Sequence, residues 1–353
     1  MFFSGSWYIC VQISLFMSSK TFIQPPAMAE LPQPETIDAS AILDSYIKGE
    51  TDLVCILGPT ASGKTRYAVG FAREINRLSG KAVAEIISAD SRQVYRGMDI
   101  GTGKDMGEYG EIPVHLVDIA DPGSKYNIYE YQRDFEKVYK DIRERGGVPI
   151  LCGGSGLYIE AATCGYSLPD VPADPKLRAE LEKQDTEDLI KLLASLKPLH
   201  NSTDYDTRKR LIRALEIAIY AKEHPVERTA YLPKKTYYIG TLVSREVRNS
   251  KIDARLKARL EEGMVQEIRS LMDGTNPALP KDENGKARAV PAEDLLYYGL
   301  EYKFVTLHIQ GVLSLEEMTK LLAIAIHQFA KRQMTWFRGM ERKGIRIHWV
   351  NAG

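Results

Sequence analysis

The chain has 353 residues, of which 44% are hydrophobic and 27% are charged, and it contains 27 Gly and 17 Pro. That length suits one large α/β core with an insertion, and the composition excludes a collagen-like, low-complexity or mainly disordered protein. Lys and Arg together number 47, as do Asp and Glu, so the net charge is zero. A polyanionic partner must therefore be bound by local basic patches rather than by the charge of the whole protein.

The cysteines are scattered along the chain and form no CxxC pair: Cys10, Cys55, Cys152 and Cys164. This pattern argues against a zinc ribbon or a disulfide framework and favours a reducing compartment. No apolar run reaches the roughly 18 residues that a membrane-spanning helix needs. We therefore expect a cytoplasmic protein with no membrane partner, and we take it to act as a monomer.

The N-terminal segment has the composition of a leader. Residues 1–17 are apolar, but no basic residue precedes this run and no small-residue cleavage site follows it, so they do not fit a secretion signal. A Pro-rich stretch follows, and Met28 within it is a second candidate start. We expect residues 1–49 to be a leader that is disordered or that reflects a misassigned start.

Residues 50–165 alternate between apolar runs typical of buried strands and amphipathic runs typical of helices. The predicted strands are Asp52–Leu57, Ala82–Ile87, His115–Ile119 and Val148–Cys152, and the predicted helices are Arg66–Leu78 and Tyr126–Arg145. Such alternation predicts a parallel sheet covered by helices on both faces. Ligands of such sheets bind at the carboxyl ends of the strands.

The pattern changes after Gly165, where only helices are predicted. Helical patterns at 175–184, 186–196 and 206–222 follow one another, and a strand returns at Tyr237–Val243. We therefore expect residues 166–235 to be a helical insertion, and residues 50–165 and 236–353 to form the core.

Two long helices are predicted near the C-terminus, separated by a loop at 274–293. The second opens with a capping box, Ser314 to Glu317. One side of this helix is expected to carry Met318, Leu322, Ala325, Phe329 and Trp336. We interpret Trp336, like Met98 and Trp349, as a packing residue.

A phosphate-binding motif follows the first predicted strand. It consists of Gly58, Pro59, Thr60, Ala61, Ser62, Gly63, Lys64 and Thr65, which match G-x-x-x-x-G-K-[ST]. Glycines let the backbone wrap a phosphate, and successive amides at a helix N-terminus supply partial positive charge. Lys64 adds a full charge, and the Thr65 hydroxyl can bind Mg²⁺. The fold class is therefore α/β, a P-loop NTPase-like parallel sheet flanked by helices, with a helical insertion domain.

Asp90 follows the second predicted strand and has two interpretations. We expect that strand to lie beside the P-loop strand, so that the Asp90 carboxylate faces the reacting end of a phosphate chain and accepts a proton. Alternatively, Asp90 caps a turn, as Asp often does. The sequence near Asp90 leaves both interpretations open.

Six blocks, in this order and spacing, resemble the tRNA dimethylallyltransferases, also called tRNA isopentenyltransferases: GPTASGKT, ISADSRQVYRGMDIGTGK, HLVDIADP, PILCGGSGLYIEA, RLIRALEI and AKRQMTWFR. The resemblance extends from residue 53 to residue 349. It implies transfer of the dimethylallyl group of dimethylallyl diphosphate to the N6 amine of the adenosine 3′-adjacent to the anticodon. The tRNAs concerned read codons beginning with U, and the product is N6-isopentenyladenosine.

The resemblance also assigns roles to residues. The P-loop would hold the diphosphate leaving group, Lys64 would neutralise its charge, and Thr65 would bind Mg²⁺, the one cofactor expected. Asp90 would take the proton of the adenine amine, and Arg255 would contact the diphosphate. Fixed cations suit the departure of diphosphate from an allylic carbon, and a base extruded from its stack could reach a buried site.

Contacts with tRNA are expected at two groups of residues. Near the reaction centre the resemblance points to Asp90, Ser91, Arg92, Gln93 and Ser155. In the insertion it points to Arg178, Lys209, Arg210, Leu211, Ile212 and Arg213. Basic residues mixed with aromatics at 331–346 also suit RNA. An ordinary solvated helix face is the alternative for each basic cluster taken alone.

The chain departs from the family pattern at 200–208, 294–304 and 326–328, which affects the expected choice of tRNA more than the reaction. Other functions remain open at this stage. A P-loop small-molecule kinase would also use an acid after the second strand. A second alternative is transfer of the same prenyl group to a free adenine nucleotide. A third is an RNA-binding P-loop protein that catalyses no reaction.

Overall fold

The computed structural model describes residues 32–165, 171–197, 207–224 and 231–352. Contacts within the chain separate a unit that ends at Gln33 from a unit that begins at Pro34. All the helices and strands given below belong to the second unit.

The centre of this unit is a parallel sheet of six strands in the order β3-β2-β4-β1-β5-β6. The strands are β1 (Leu53–Leu57), β2 (Ala84–Ser88), β3 (Val114–His115), β4 (Val148–Gly153), β5 (Thr236–Leu242) and β6 (Ile347–Asn351). Every residue of β1, β2 and β4 is buried, as expected for a parallel sheet with helices on both faces. The third strand is shorter than predicted because Leu116 and Asp118 adopt positive φ angles of 61° and 55°.

The order of the strands corrects one expectation, since β4 lies between the P-loop strand β1 and β2. Ile150 of β4 pairs with Val54 of β1 on one side and with Ile86 of β2 on the other. The loops after β2 and β4 nevertheless approach closely, because a Cβ atom at Gly153 would overlap the carbonyl group of Ala89. Residues that follow β2 therefore reach the P-loop across one intervening strand.

Four helices flank the first half of the sheet: α1 (Ala39–Ile47), α2 (Lys64–Ser79), α3 (Ile128–Glu144) and α4 (Gly156–Thr163). The first of them lies inside the segment expected to be a leader. The Asp38 side chain caps α1, and Ile42 and Leu43 are buried in the same cluster as Val54 of β1. The expected leader boundary at residue 49 is therefore wrong for residues 39–47, because the apolar face of this helix packs against the sheet.

In the region expected to be an insertion, the described residues 171–197 and 207–224 contain three helices: α5 (Pro175–Leu181), α6 (Thr186–Leu196) and α7 (Arg208–Glu223). They share a small apolar core of their own, in which Leu181, Leu189, Leu193, Leu211 and Leu215 are buried. The chain returns to the sheet at Thr236, where β5 begins.

Five helices precede the last strand: α8 (Arg245–Glu261), α9 (Met264–Asp273), α10 (Ala292–Leu295), α11 (Leu300–Ile309) and α12 (Leu315–Arg342). The first long helix expected here is two helices, because Gly263 adopts a positive φ of 104° between α8 and α9. In α12, Phe329 and Trp336 are 39% and 38% exposed, so the expectation that Trp336 is a packing residue is wrong. The neighbours Ala330 and Phe337, one position further along, occupy the core face instead.

Other expectations about packing are confirmed. Met98 and Trp349 are buried, as predicted. The structure also shows that Cys55 and Cys152 are buried free thiols within the sheet. In the described part of the chain, no helix has the length and apolarity needed to cross a membrane.

Candidate active site

The P-loop connects β1 to α2 and forms the wall of a polar cavity of about 100 Å³. Ala61 and Gly63 adopt positive φ angles of 60° and 80°, which turn the backbone around the cavity. No side chain caps the N-terminus of α2, so its first amide groups and the helix dipole are available to an anion. Five of the predicted motif residues line the cavity: Thr60, Ala61, Gly63, Lys64 and Thr65.

The other three motif residues, Gly58, Pro59 and Ser62, do not line this cavity. Ser62 is fully buried, and its Oγ atom is 2.6 Å from Oγ1 of Thr241 on β5. A Cβ atom at Gly58 would overlap the same Thr241 hydroxyl. Gly58 and Ser62 therefore pack against β5 behind the loop, and the contact of these three residues with a phosphate stays a prediction.

Four basic side chains from distant parts of the sequence line the small cavity: Lys64 and Arg66 at the start of α2, and Arg255 and Arg259 of α8. Burial lowers the pKa of Lys64, and the negative charge of Asp90 partly opposes this effect. Surrounding protein also lowers the pKa of Arg255, and the neighbouring Arg259 guanidinium lowers it further. Closely placed cations of this kind are stabilised when an anionic ligand binds between them.

Asp90 lines the same cavity and also makes a turn, so the capping interpretation is confirmed and the proton-accepting role stays a prediction. Its Oδ1 atom accepts a hydrogen bond of 2.9 Å from the amide of Arg92. The Asp90 amide in turn donates to Oγ of Ser88 over 3.3 Å. The turn fixes the carboxylate at the carboxyl end of β2, opposite the P-loop.

A second and larger cavity, of about 640 Å³, adjoins the first. Residues common to the linings of both cavities are Thr60, Lys64, Asp90, Thr102 and Arg259. The remaining wall of the large cavity is rich in aromatic side chains: Tyr158, Tyr297, Tyr298, Tyr302, Phe329 and Trp336. A polar, cationic compartment therefore opens beside Lys64 and Asp90 into a wide compartment suited to a flat or apolar group.

The predicted residues after β2 and β4 are joined by hydrogen bonds at the floor of the large cavity. The Ser155 hydroxyl accepts a hydrogen bond of 3.1 Å from the Ser91 amide and lies 3.3 Å from the Ser91 hydroxyl. The Arg92 guanidinium lies 5.8 Å from the centre of the Tyr297 ring, in a cation–π arrangement. Gln93 lines the small cavity and donates to the carbonyl of Gly103 over 3.3 Å.

The basic residues of the insertion are mostly engaged within it. The buried carboxylate of Glu216 accepts hydrogen bonds of 3.0 Å and 2.8 Å from Arg178, and it also pairs with Arg213. Arg208 donates to the carbonyl groups of Leu181, Glu182 and Gln184.

The other predicted tRNA contacts on α7 are of two kinds, residues with buried side chains and residues with exposed side chains. Leu211 is 0% exposed and Ile212 is 4% exposed, so the predicted contact of their side chains with tRNA is wrong. Both belong to the core of the insertion, because they lie on the face of α7 that packs against α5 and α6. Lys209 and Arg210 are exposed and remain predicted tRNA contacts.

Several site residues were not predicted from the sequence: Thr102, Arg259, Tyr297, Glu301 and Gln333. A signal existed for two of them. Arg259 follows Arg255 by one helical turn, which places both on one face of α8. Gln333 belongs to the quoted AKRQ block, but its role depends on where α12 lies. Its side chain accepts a hydrogen bond from the Thr60 amide and donates one to the Gly154 carbonyl, each 2.8 Å long.

Comparisons with known proteins identify the family. The family model described as "IPP transferase" matches residues 93–340. A tRNA dimethylallyltransferase 1 of Parabacteroides distasonis is 53% identical over 305 residues, which cover 85% of this chain and 92% of the relative. A tRNA dimethylallyltransferase 2 of Bacteroides fragilis is 51% identical over 85% of this chain and 93% of the relative.

Solved structures resemble the fold. A tRNA isopentenylpyrophosphate transferase of Bacillus halodurans is 32% identical, with a TM-score of 0.57, over 85% of this chain and 89% of that chain. A eukaryotic dimethylallyltransferase acting on tRNA shares the fold with a TM-score of 0.65 at 24% identity, over 85% of this chain and 73% of that chain. Since the family model covers more than half of the chain and relatives about half identical cover most of it, the chain belongs to the tRNA dimethylallyltransferase family.

Proposed function

We propose that the protein transfers the dimethylallyl group of dimethylallyl diphosphate to N6 of an adenosine in tRNA. The target is the adenosine 3′-adjacent to the anticodon in tRNAs that read codons beginning with U, and the product is N6-isopentenyladenosine. One observation carries the proposal, namely that a cationic cavity and an aromatic cavity share Lys64 and Asp90 in their walls. A diphosphate in the first and an adenine in the second would meet at these two residues.

The proposed step balances without a redox partner. The bond between the allylic carbon and the diphosphate oxygen breaks, and the oxygen keeps the electron pair. The lone pair of N6 forms the new carbon–nitrogen bond, and Asp90 accepts the proton that N6 loses. Lys64, Arg255 and the amides at the start of α2 stabilise the charge that develops on the departing diphosphate.

Mg²⁺ fits this site as a partner of the diphosphate. Among the described residues, no group of three or more His, Cys, Asp or Glu side chains could hold a metal by itself. Mg²⁺ is commonly held by one or two protein ligands together with phosphate oxygens and water. Thr65 lines the cavity and supplies a hydroxyl, so we propose that Thr65 and the diphosphate hold the ion, which supplies charge neutralisation of the leaving group.

The large cavity supports an extruded base as the acceptor. An adenine must leave its stack to enter a buried site, and aromatic side chains compensate by stacking on bases. Ser91, Arg92 and Ser155 line the route to Asp90, and Arg332 lies 5.8 Å from the centre of the Phe329 ring at the same cavity. We propose that Lys209 and Arg210, on the exposed start of α7, contact the tRNA backbone. We also propose that the protein acts as a monomer in the cytoplasm. The buried free thiols of Cys55 and Cys152 suit that compartment, in which thiols stay reduced.

A small-molecule kinase is the alternative that shares the P-loop and Asp90. The volume of about 640 Å³ next to Asp90, with its aromatic wall, favours a nucleobase in a larger substrate.

The test is to incubate the protein with Mg²⁺, dimethylallyl diphosphate and unmodified tRNA, and to identify the nucleosides by mass spectrometry after digestion. Parallel reactions contain free adenine nucleotides, or ATP with the same acceptors. Prenylated adenosine from tRNA is the expected result. Product from free nucleotides alone would contradict the tRNA proposal, and ATP turnover without prenylation would favour the kinase.

A further inference from the structure

Arg259 lies at the junction of the cavities and has no role in the step proposed above. It lines the small cavity proposed to bind the diphosphate and the large cavity with the aromatic wall. It also lines a third cavity of about 350 Å³, which Arg255 lines as well. Its side chain is only 15% exposed, which is low for an arginine on the outer layer of a protein. The guanidinium lies against the backbone of Gly103, where a Cβ atom would overlap it. The position of Arg259 is therefore fixed by close packing.

The charge of Arg259 is only loosely balanced by Glu301. Nη1 of Arg259 is 3.4 Å from Oε1 of Glu301. This is a single contact, and it is longer than the two parallel hydrogen bonds of a bidentate pair. Burial raises the pKa of Glu301, and Arg259 opposes this effect. Glu301 is held near this position because the next residue, Tyr302, donates a hydrogen bond of 2.7 Å to Glu267. A phosphate, which accepts two parallel hydrogen bonds from a guanidinium, would compete well with this carboxylate.

The same helix places Arg255 and Arg259 on one face of α8, one turn apart. Buried residues of α8, Ile252 and Leu256, fix that face to the core formed with α9 and α11. Both arginines line the small cavity together with Lys64 and other residues of the P-loop. Arg259 is thus paired with the carboxylate of Glu301 and also lines the cavity proposed to bind the anion.

We propose that Arg259 is a second diphosphate-binding arginine and that Glu301 holds it in place until the diphosphate replaces the carboxylate. The proposal rests on the diphosphate-binding function proposed above and adds two residues to it. Glu301 acts as a positioning residue, because its effect on the diphosphate passes through Arg259. On binding, Arg259 exchanges one carboxylate contact for contacts with phosphate oxygens, and no covalent bond changes.

The test compares Arg259→Gln, Glu301→Gln and the double variant with wild type, using calorimetric titration with Mg²⁺ and inorganic pyrophosphate. Since hydrogen bonds to charged groups contribute about 1.5–3 kcal/mol, we expect Arg259→Gln to weaken pyrophosphate binding about 10- to 100-fold. Glu301→Gln should strengthen binding about 2- to 10-fold, because it removes a competing charge. The double variant should bind like Arg259→Gln alone, since the effect of Glu301 requires Arg259.

Two controls separate this role from a structural one. Lys257→Gln removes a cation from α8 whose side chain is 80% exposed, and it should bind pyrophosphate like wild type. Arg259→Lys keeps the charge and loses the guanidinium, so its affinity should lie between that of wild type and that of Arg259→Gln. With dimethylallyl diphosphate, Arg259→Gln should raise KM in the same proportion as it weakens pyrophosphate binding.

Unchanged pyrophosphate affinity in folded Arg259→Gln would overturn the proposal. It would also be overturned if Glu301→Gln raised pyrophosphate affinity equally in wild type and in Arg259→Gln. Failure of wild type to bind pyrophosphate would instead overturn the diphosphate site itself. The two failures are therefore distinguishable in one set of titrations.

Discussion

The side chain of Gln333 is joined to the backbone of Thr60, which ties the long C-terminal helix α12 to the P-loop. Its Oε1 atom accepts the Thr60 amide over 2.8 Å, and its Nε2 atom donates to the Gly154 carbonyl over 2.8 Å. One amide group thus joins the loops after β1 and β4, beside the cavity that Lys64 and Asp90 also line.

Replacing Gln333 by Leu should loosen both loops. The Thr60 amide and the Gly154 carbonyl would lose their partner, which costs about 1–3 kcal/mol when such groups stay buried. We expect a lower melting temperature and a higher KM for dimethylallyl diphosphate. Gln328→Leu, on the same helix but outside both cavity walls, is the matched control. Equal melting temperatures and KM values for the two variants would show that Gln333 does not support the P-loop.

Asp90→Asn should preserve the turn and remove the proton acceptor. Asn keeps an oxygen that can accept the Arg92 amide, so the loop after β2 should retain its shape. Loss of a general base slows a reaction about 10²- to 10⁴-fold, and we expect single-turnover prenylation of tRNA to fall by this factor. Pyrophosphate affinity, measured on the same preparation, should change little. Transfer at the wild-type rate would remove Asp90 from the proposed step.

Thr65→Val should raise the Mg²⁺ requirement. The substitution keeps the shape of the side chain and deletes the hydroxyl that we assign to the ion. We expect the Mg²⁺ concentration for half-maximal activity to rise about tenfold or more, by analogy with the loss of supporting groups at metal sites. Activity is measured as a function of Mg²⁺ at saturating tRNA. Superimposable Mg²⁺ curves for variant and wild type would contradict the assignment, provided that the variant is folded.

Trp336→Ala should weaken tRNA binding without affecting the diphosphate. The indole lies over Gly156 at the large cavity, and stacking on one base contributes about 1–3 kcal/mol. The expected result is a higher KM for tRNA with unchanged pyrophosphate affinity. Ile324→Ala, which removes an exposed apolar residue of α12 outside the cavity, is the control. Gly156→Ala should reproduce the effect because its Cβ atom would displace the indole.

The ion pairs of Glu216 should make the stability of the insertion depend on pH. Burial alone would raise the pKa of Glu216, but hydrogen bonds from Arg178, the Asp174 amide and Arg213 outweigh it and lower the pKa to about 2. A carboxylate with a lowered pKa stabilises the fold above its unfolded pKa, and this stabilisation disappears as the pH falls towards 2.

Glu216→Gln should therefore destabilise α7 near neutral pH by about 1–3 kcal/mol, a range that allows for the partial exposure of both arginines. Hydrogen exchange of α7 amides measures this loss, and Glu180→Gln, on the exposed side of α5, is the control. The difference between Glu216→Gln and wild type should shrink below pH 4. A difference that is constant between pH 7 and pH 3 would contradict the role of the ionised carboxylate.

Local patterns in the sequence were sufficient for strands β1, β2, β4 and β5 and for the turn that precedes α2, but they did not predict helix α1, helix α11 or strand β6. A Gly-rich turn between an apolar run and a helix predicts uncapped amides whatever surrounds it, and α2 begins at Lys64 without a side-chain cap. The helices of the region after Gly165 were also predicted from local patterns, since no strand pattern interrupts that region. Helical periodicity was less informative in α12, where Trp336 and Phe337 are neighbours in sequence and only one of them lies in the core.

The sequence by itself determined the P-loop, the parallel α/β architecture and, through six motifs in register, the family, because each depends on short-range residue order. Only the tertiary structure decided which strand separates β1 from β2, that Gln333 bonds to the P-loop, and that Arg259 and Glu301 line a cavity together with P-loop residues. These facts depend on contacts between residues far apart in the chain. Such contacts are selected by the packing of whole helices, and no local pattern of residues specifies them.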